Sequence, residues 1–176
     1  MHRKKKDVKV AIITVNPQLG AGLATNARVQ QRHLLNRQKT ILRSYKMNEG
    51  YDIYYAHHQW KYGTKIEQYE LDVIRRYFPK ARICNPATDI DNVDRTEEDI
   101  MRDCLETVKN SDIIIFSAID GCVGRGVYQE VTYADKYDKI IFFIHHDQLI
   151  AGHGYSLKRV KSEHGDRIHA YVIKEG

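Results

Sequence analysis

A chain of 176 residues has room for one well-cored domain and is short for two, since domains run to roughly 100–200 residues. With 42% hydrophobic and 29% charged residues and three prolines, its composition is that of an ordinary globular protein and excludes a disordered chain. No apolar run approaches the roughly 18–20 residues that cross a bilayer, and MHRKKKDVKV lacks the apolar core of a secretory signal, so a cytoplasmic protein with no membrane partner is expected. The net charge of +5 is unevenly placed: residues 1–49 carry 11 Lys/Arg against 2 Asp/Glu, a balance of +9, which leaves −4 for the rest. A cationic arm of this kind can bind nucleic acid without sequence preference. Cys84, Cys104 and Cys122 form no CxxC pair and leave an odd thiol, which fits reduced cysteines.

In chain order, VKVAIITV (Val8 to Val15) is a short β-branched run closed by Asn16-Pro17 and Gly20, the pattern of a strand and turn. Leu34, Leu35, Ile41, Leu42 and Tyr45 then recur at helical spacing on an Arg-rich segment, a helix over about 24–46 with one narrow apolar stripe. Gly50 breaks the pattern, and YDIYYA (Tyr51 to Ala56) predicts a second strand. Thr64 with Glu67 has the spacing of a capping box, opening a helix with Ile66, Leu71, Ile74, Tyr77 and Phe78 inward. ARIC (Ala81 to Cys84) is a third strand, and Thr96 with Asp99 opens a helix through Val108. DIIIFSAI (Asp112 to Ile119) is apolar throughout, as a strand covered on both faces of a parallel sheet is. The loop DGCVGRG leads into a helix to about Tyr137, KIIFFI (Lys139 to Ile144) is another buried strand, and RIHAYVI (Arg167 to Ile173) reads as a final edge strand.

This alternation predicts an α/β fold: a doubly wound parallel sheet of about five strands with flanking helices, flavodoxin- or Rossmann-like. It divides the chain into a basic strand–helix extension, residues 1–49, and an α/β domain, residues 50–176. Ligands of such sheets bind at the carboxyl ends of the strands. Three segments fall there: Tyr54 to His58, Asp120 to Gly126 leading into Glu130, and His145 to Asp147. Glycines at 121, 124 and 126 allow close backbone approach to a ligand, and a helix starting there aims free N–H groups at a phosphate, hydroxyl or carboxylate. The loop is neither a Walker A loop nor GxGxxG, and no cofactor is expected. Glu130, about one turn into that helix, would be held ionised by the dipole, the state a nucleophile needs. With Val127, Val131 and Ala134 facing the sheet, Glu130 is expected to point elsewhere, toward the crevice. Adjacent histidines on a strand end point in opposite directions, so no metal site is expected from His57, His58, His145, His146, Asp147 and His153. Cys122 lacks any partner base that the sequence indicates.

The block DCLETVKNSDIIIFSAIDGCVGRGVYQEVTYADKYDKIIFFI resembles the nucleoside 2-deoxyribosyltransferase superfamily, which includes nucleotide N-glycosidases; the likeness spans about residues 51–144. The resemblance implies cleavage or transfer at the N-glycosidic bond of a nucleoside or nucleoside 5′-monophosphate. It casts Glu130 as nucleophile, with Tyr133 and Ala134 following, Asp103 as the helical aspartate that assists protonation of the leaving base, and Tyr54 as the tyrosine that positions the glutamate. Asp112 opens the buried strand. Gly124, Arg125, Gly126, Asp120 and His57 are then the candidate substrate contacts, Arg125 for a 5′-phosphate. A homo-oligomer is also implied, because family sites are often completed by a neighbouring subunit. Breaking the bond builds oxocarbenium character at C1′, which an anionic carboxylate stabilises or traps. The rival readings are a nucleotide-binding sensor without turnover and a nucleic-acid-associated protein acting through residues 1–49.

Overall fold

The computed structural model describes residues 50–90, 94–151, 155–160 and 167–172. The strand expected at 8–15 and the helix expected at about 24–46 lie outside them. The elements run β1 (Asp52–Ala56), a 3-10 turn (Gln59–Lys61), α1 (Lys65–Tyr77), β2 (Arg82–Cys84), a short α2 (Pro86–Asp89), α3 (Glu97–Asn110), β3 (Ile113–Ser117), β4 (Cys122–Val123), α4 (Arg125–Lys136), β5 (Ile140–His145), β6 (Gln148–Ala151), β7 (Tyr155–Val160) and β8 (Arg167–Val172).

Five strands form the main sheet in the order β2-β1-β3-β5-β6. The first four are parallel and β6 pairs antiparallel to β5. The protein is thus a doubly wound α/β fold, with β1 and β3 side by side where the chain reverses its direction across the sheet. Period-two alternation sends Ile53 and Tyr55 of β1 to one face and Tyr54 and Ala56 to the other. On the first face α1 lays Leu71, Val73, Ile74 and Phe78 against Ile113, Ile115 and Phe142. On the second, α3 and α4 bring Cys104, Val108, Val127, Val131 and Ala134 against Tyr54, Ile114, Phe116 and Phe143. β3 is buried at every residue, as its unbroken apolar run requires.

Three expectations are corrected. Ile66 is exposed rather than inward, because the stripe α1 buries runs through Glu67, Glu70, Leu71 and Ile74. The segment around Arg167 to Val172 is not an edge strand: β8 lies between β4 and β7 in a separate antiparallel sheet, which sends Val123, Ile168 and Ala170 into the core on the α3/α4 side. The stretch Asp120 to Gly126 is not one loop. Asp120 and Gly121, both at positive φ, make a two-residue turn in which Ile119 and Cys122 exchange backbone hydrogen bonds of 2.8 and 2.7 Å. That is the type I′ hairpin Asp-Gly favours.

Among the described residues no helix is long and apolar enough to cross a membrane.

Candidate active site

The site grows from two neighbouring tyrosines of β1. Because side chains alternate along a strand, Tyr54 and Tyr55 enter opposite layers, and each hydroxyl meets a glutamate from the helix packed there. Tyr55 donates to Glu70 of α1, and Tyr54 donates to Oε1 of Glu130 of α4 at 2.6 Å. All four residues are buried.

The two pairs differ in charge. Lys61, at the end of the 3-10 turn, places its Nζ 2.7 Å from Glu70 Oε1 and donates also to Ser117 Oγ (2.8 Å) and to the Ala118 carbonyl (3.0 Å). Ser117 Oγ in turn donates to Glu70 Oε2 at 2.9 Å. A buried carboxylate so enclosed by a cation and hydroxyls is a closed structural network. Glu130 is only 5% exposed, and among the described residues the groups that hydrogen-bond to it are the Tyr54 hydroxyl and the Cys104 thiol, two neutral donors. Burial raises its pKa from the ordinary 4.5 to about 7, against the lowering effect of those hydrogen bonds. This corrects the expectation of a fully ionised carboxylate: Glu130 lies in the second turn of α4, where the dipole is weak, and desolvation wins. Nor does it point away from the sheet. Val127, Glu130, Val131 and Ala134 form a single buried stripe, and Glu130 reaches β1 through it.

Burial also pushes the neighbouring thiols up, Cys84 to about 11 and Cys104 to about 12. Cys84 is the register partner of Tyr54 across β1 and β2. It adjoins an open groove of about 300 Å³ between β2 and α3, which runs from Cys84 and Asp89 to Asp52, Arg82 and Ser111.

The other expected residues are placed as follows. Asp103 is on α3 beside Cys104, but its side chain is 46% exposed and takes a 2.7 Å ion pair from Arg95. The helix thus presents Cys104, not Asp103, to Glu130. His57 is buried with both nitrogens engaged, Nδ1 to the Tyr55 carbonyl (3.1 Å) and Nε2 to Glu67 (2.9 Å), and its ring stacks on Tyr55 at 4.0 Å. It is therefore part of the α1-side network. Its neighbour His58 is the histidine that reaches α4, with its ring so close to Gly124 that a Cβ there would lie 2.8 Å from His58 Cδ2. His58 Nδ1 accepts from the Trp60 N–H, capping the 3-10 turn. Gly126 also packs closely, since a Cβ there would lie 3.2 Å from Cε, the far end of the Met101 side chain. Arg125 is exposed as the first residue of α4, whose N-cap Gly124 supplies no side-chain hydrogen bond. Asp120 is exposed in the hairpin turn.

The chain matches no protein-family model and no curated protein. What can be said of its chemistry rests on the geometry.

Sequence reasoning missed Glu70, Lys61 and Cys104. For Glu70 a signal existed: it stands at i+3 from Glu67, directly before Leu71 and four residues before Ile74, inside the apolar stripe of α1. Cys122 also has a neighbour the sequence could not indicate, His169, its cross-strand partner, with Sγ 3.5 Å from Nδ1. Among the described residues no group of three or more His, Cys, Asp or Glu side chains is arranged to hold a metal ion.

Proposed function

We propose that the protein cleaves or transfers at the N-glycosidic bond of a nucleoside or nucleoside 5′-monophosphate, with Glu130 as the nucleophile and Tyr54 holding its carboxylate. The observation that carries this reading is the 2.6 Å hydrogen bond from the Tyr54 hydroxyl to a buried Glu130, below the carboxyl end of β1. Ligands of doubly wound sheets bind above that edge, where β1 and β3 part. As the bond to the base breaks, positive charge gathers at C1′. A carboxylate in a desolvated layer stabilises that charge far better than one in water, and can capture the sugar as an ester. Tyr54 fixes which oxygen is turned to the sugar, because its hydroxyl occupies the other. Asp103 has no part in this proposal while it is paired with Arg95.

The test is release of free base from a panel of ribo- and 2′-deoxyribonucleosides and their 5′-monophosphates, followed by chromatography, with a mass search for one sugar added at Glu130. Wild type should release base, Glu130→Ala should not, and Tyr54→Phe should fall between them. Equal behaviour of wild type and Glu130→Ala across the panel refutes the reading.

The Arg95–Asp103 pair favours one alternative, a nucleotide-binding protein without turnover, since the second carboxyl group of a two-carboxylate mechanism is already paired with a cation. In that case ligand binds stoichiometrically and is recovered intact.

A further inference from the structure

We propose that the Glu130 site acts on N-glycosides whose base already carries a positive charge, the pyridinium nucleosides and nucleotides, in preference to those with a neutral base. The inference rests on the reading of Glu130 as nucleophile and adds the substrate class.

Two observations carry it. The first is the contrast between the two tyrosine–glutamate pairs. Glu70 has its cation, Lys61, inside the protein. Among the described residues, the groups that touch Glu130 are the Tyr54 hydroxyl and the Cys104 thiol, neither of which brings a positive charge. A buried carboxylate with neutral donors alone is complementary to a cation supplied by the ligand. A pyridinium glycoside brings that charge in the ground state, next to the C1′ carbon that Glu130 must attack.

The second observation concerns the proton. A neutral purine or pyrimidine departs as an anion unless an acid protonates it. The carboxyl group expected to do so, Asp103, is already engaged in a 2.7 Å ion pair with Arg95. The other acidic groups that meet Glu130 among the described residues are the Cys84 and Cys104 thiols, pushed to about 11 and 12, and the Tyr54 hydroxyl, raised further above its ordinary value by burial, all poor donors at neutral pH. A pyridinium base needs no proton. The C1′–N bond breaks with its electron pair going to the ring nitrogen, so the base leaves neutral, and a Glu130 oxygen forms the new bond to C1′. Water then attacks C1′, the electron pair of the ester bond returns to the Glu130 carboxylate, and the proton of the water passes to solvent.

The experiment compares matched pairs of substrates with the full chain: nicotinamide against adenine and hypoxanthine, each on ribose and on 2′-deoxyribose, with and without a 5′-phosphate. Release of base is followed by chromatography for wild type and Glu130→Gln. Because a general acid is worth roughly 10²–10⁴ in rate, the nicotinamide compound of each pair should have the higher kcat/KM by about a hundredfold or more, lost in Glu130→Gln. If neutral-base partners are cleaved within about tenfold of the pyridinium compounds, the substrate class is wrong while the role of Glu130 stands. Absence of Glu130-dependent release from every compound overturns both.

Discussion

Replacing Glu130 with Gln keeps the shape of the side chain and an oxygen to accept from Tyr54, but removes the ionisation. The consequence for stability is calculable. A carboxyl group whose pKa rises on folding from 4.5 to about 7 is protonated in both states at low pH and ionised in both at high pH. Between those values the folded form holds the proton and the unfolded form has lost it, so stability falls as pH rises. At 1.36 kcal/mol per pKa unit, the loss approaches about 3 kcal/mol once the pH exceeds the folded value. Wild type should therefore lose about 3 kcal/mol relative to Glu130→Gln between about pH 4 and about pH 8, most of it between 4.5 and 7. Urea denaturation of both proteins across that range measures it. Every other titrating group is common to the pair, so the difference between the two curves isolates Glu130. Curves that stay parallel through the whole range would refute the placement of Glu130 as a buried carboxylate held by neutral donors.

Tyr54→Phe removes the donor that opposes desolvation, so the Glu130 pKa should rise further, and at about pH 8 the protein should lose about 1–3 kcal/mol in urea melts, less at about pH 5. Lys61→Met strips the cation from Glu70 and should cost about 3–5 kcal/mol, whereas Lys61→Met with Glu70→Leu should recover much of that, both read by urea denaturation. Gly124→Ala drives a methyl group into the His58 ring and should destabilise by about 1–3 kcal/mol; in a His58→Ala background the same change should cost almost nothing, and a double-mutant cycle checks the coupling.

Apart from the short α2 and β4, the order of strands and helices from β1 to β5 was legible because each element carries a strong local signal. The apolar run of β3 admits only a strand covered on both faces, and Thr64 and Thr96 do cap α1 and α3, accepting from the Glu67 and Asp99 N–H groups at 3.3 and 3.2 Å. β6, β7 and the true position of β8 were not legible, because they depend on pairings between separate segments and β7 is mostly exposed, with no alternation strong enough to read. The Thr64–Glu67 box shows the same limit at the scale of one side chain. Spacing places the threonine correctly, yet the Glu67 carboxylate serves the N–H of Gly63 (2.7 Å), one residue before the cap, together with His57 and Asn85, partners that spacing does not indicate.

Glu130 illustrates why the site was half legible. Its position in α4 belongs to the i, i+3, i+4, i+7 series of Val127, Glu130, Val131 and Ala134, so the pattern alone directs it at the sheet. A reading that assigns charged residues to solvent moves it out of that stripe, and Glu70 suffers the same fate in α1. What separates the two glutamates is then not their local sequence but the third residue that each meets. The loop after β1 delivers Lys61 to one layer, and α3 delivers Cys104 to the other. One carboxylate is thereby neutralised within the fold. Among the described residues the other meets only neutral donors, and the pH dependence of Glu130→Gln measures how much free energy the protein holds in that condition.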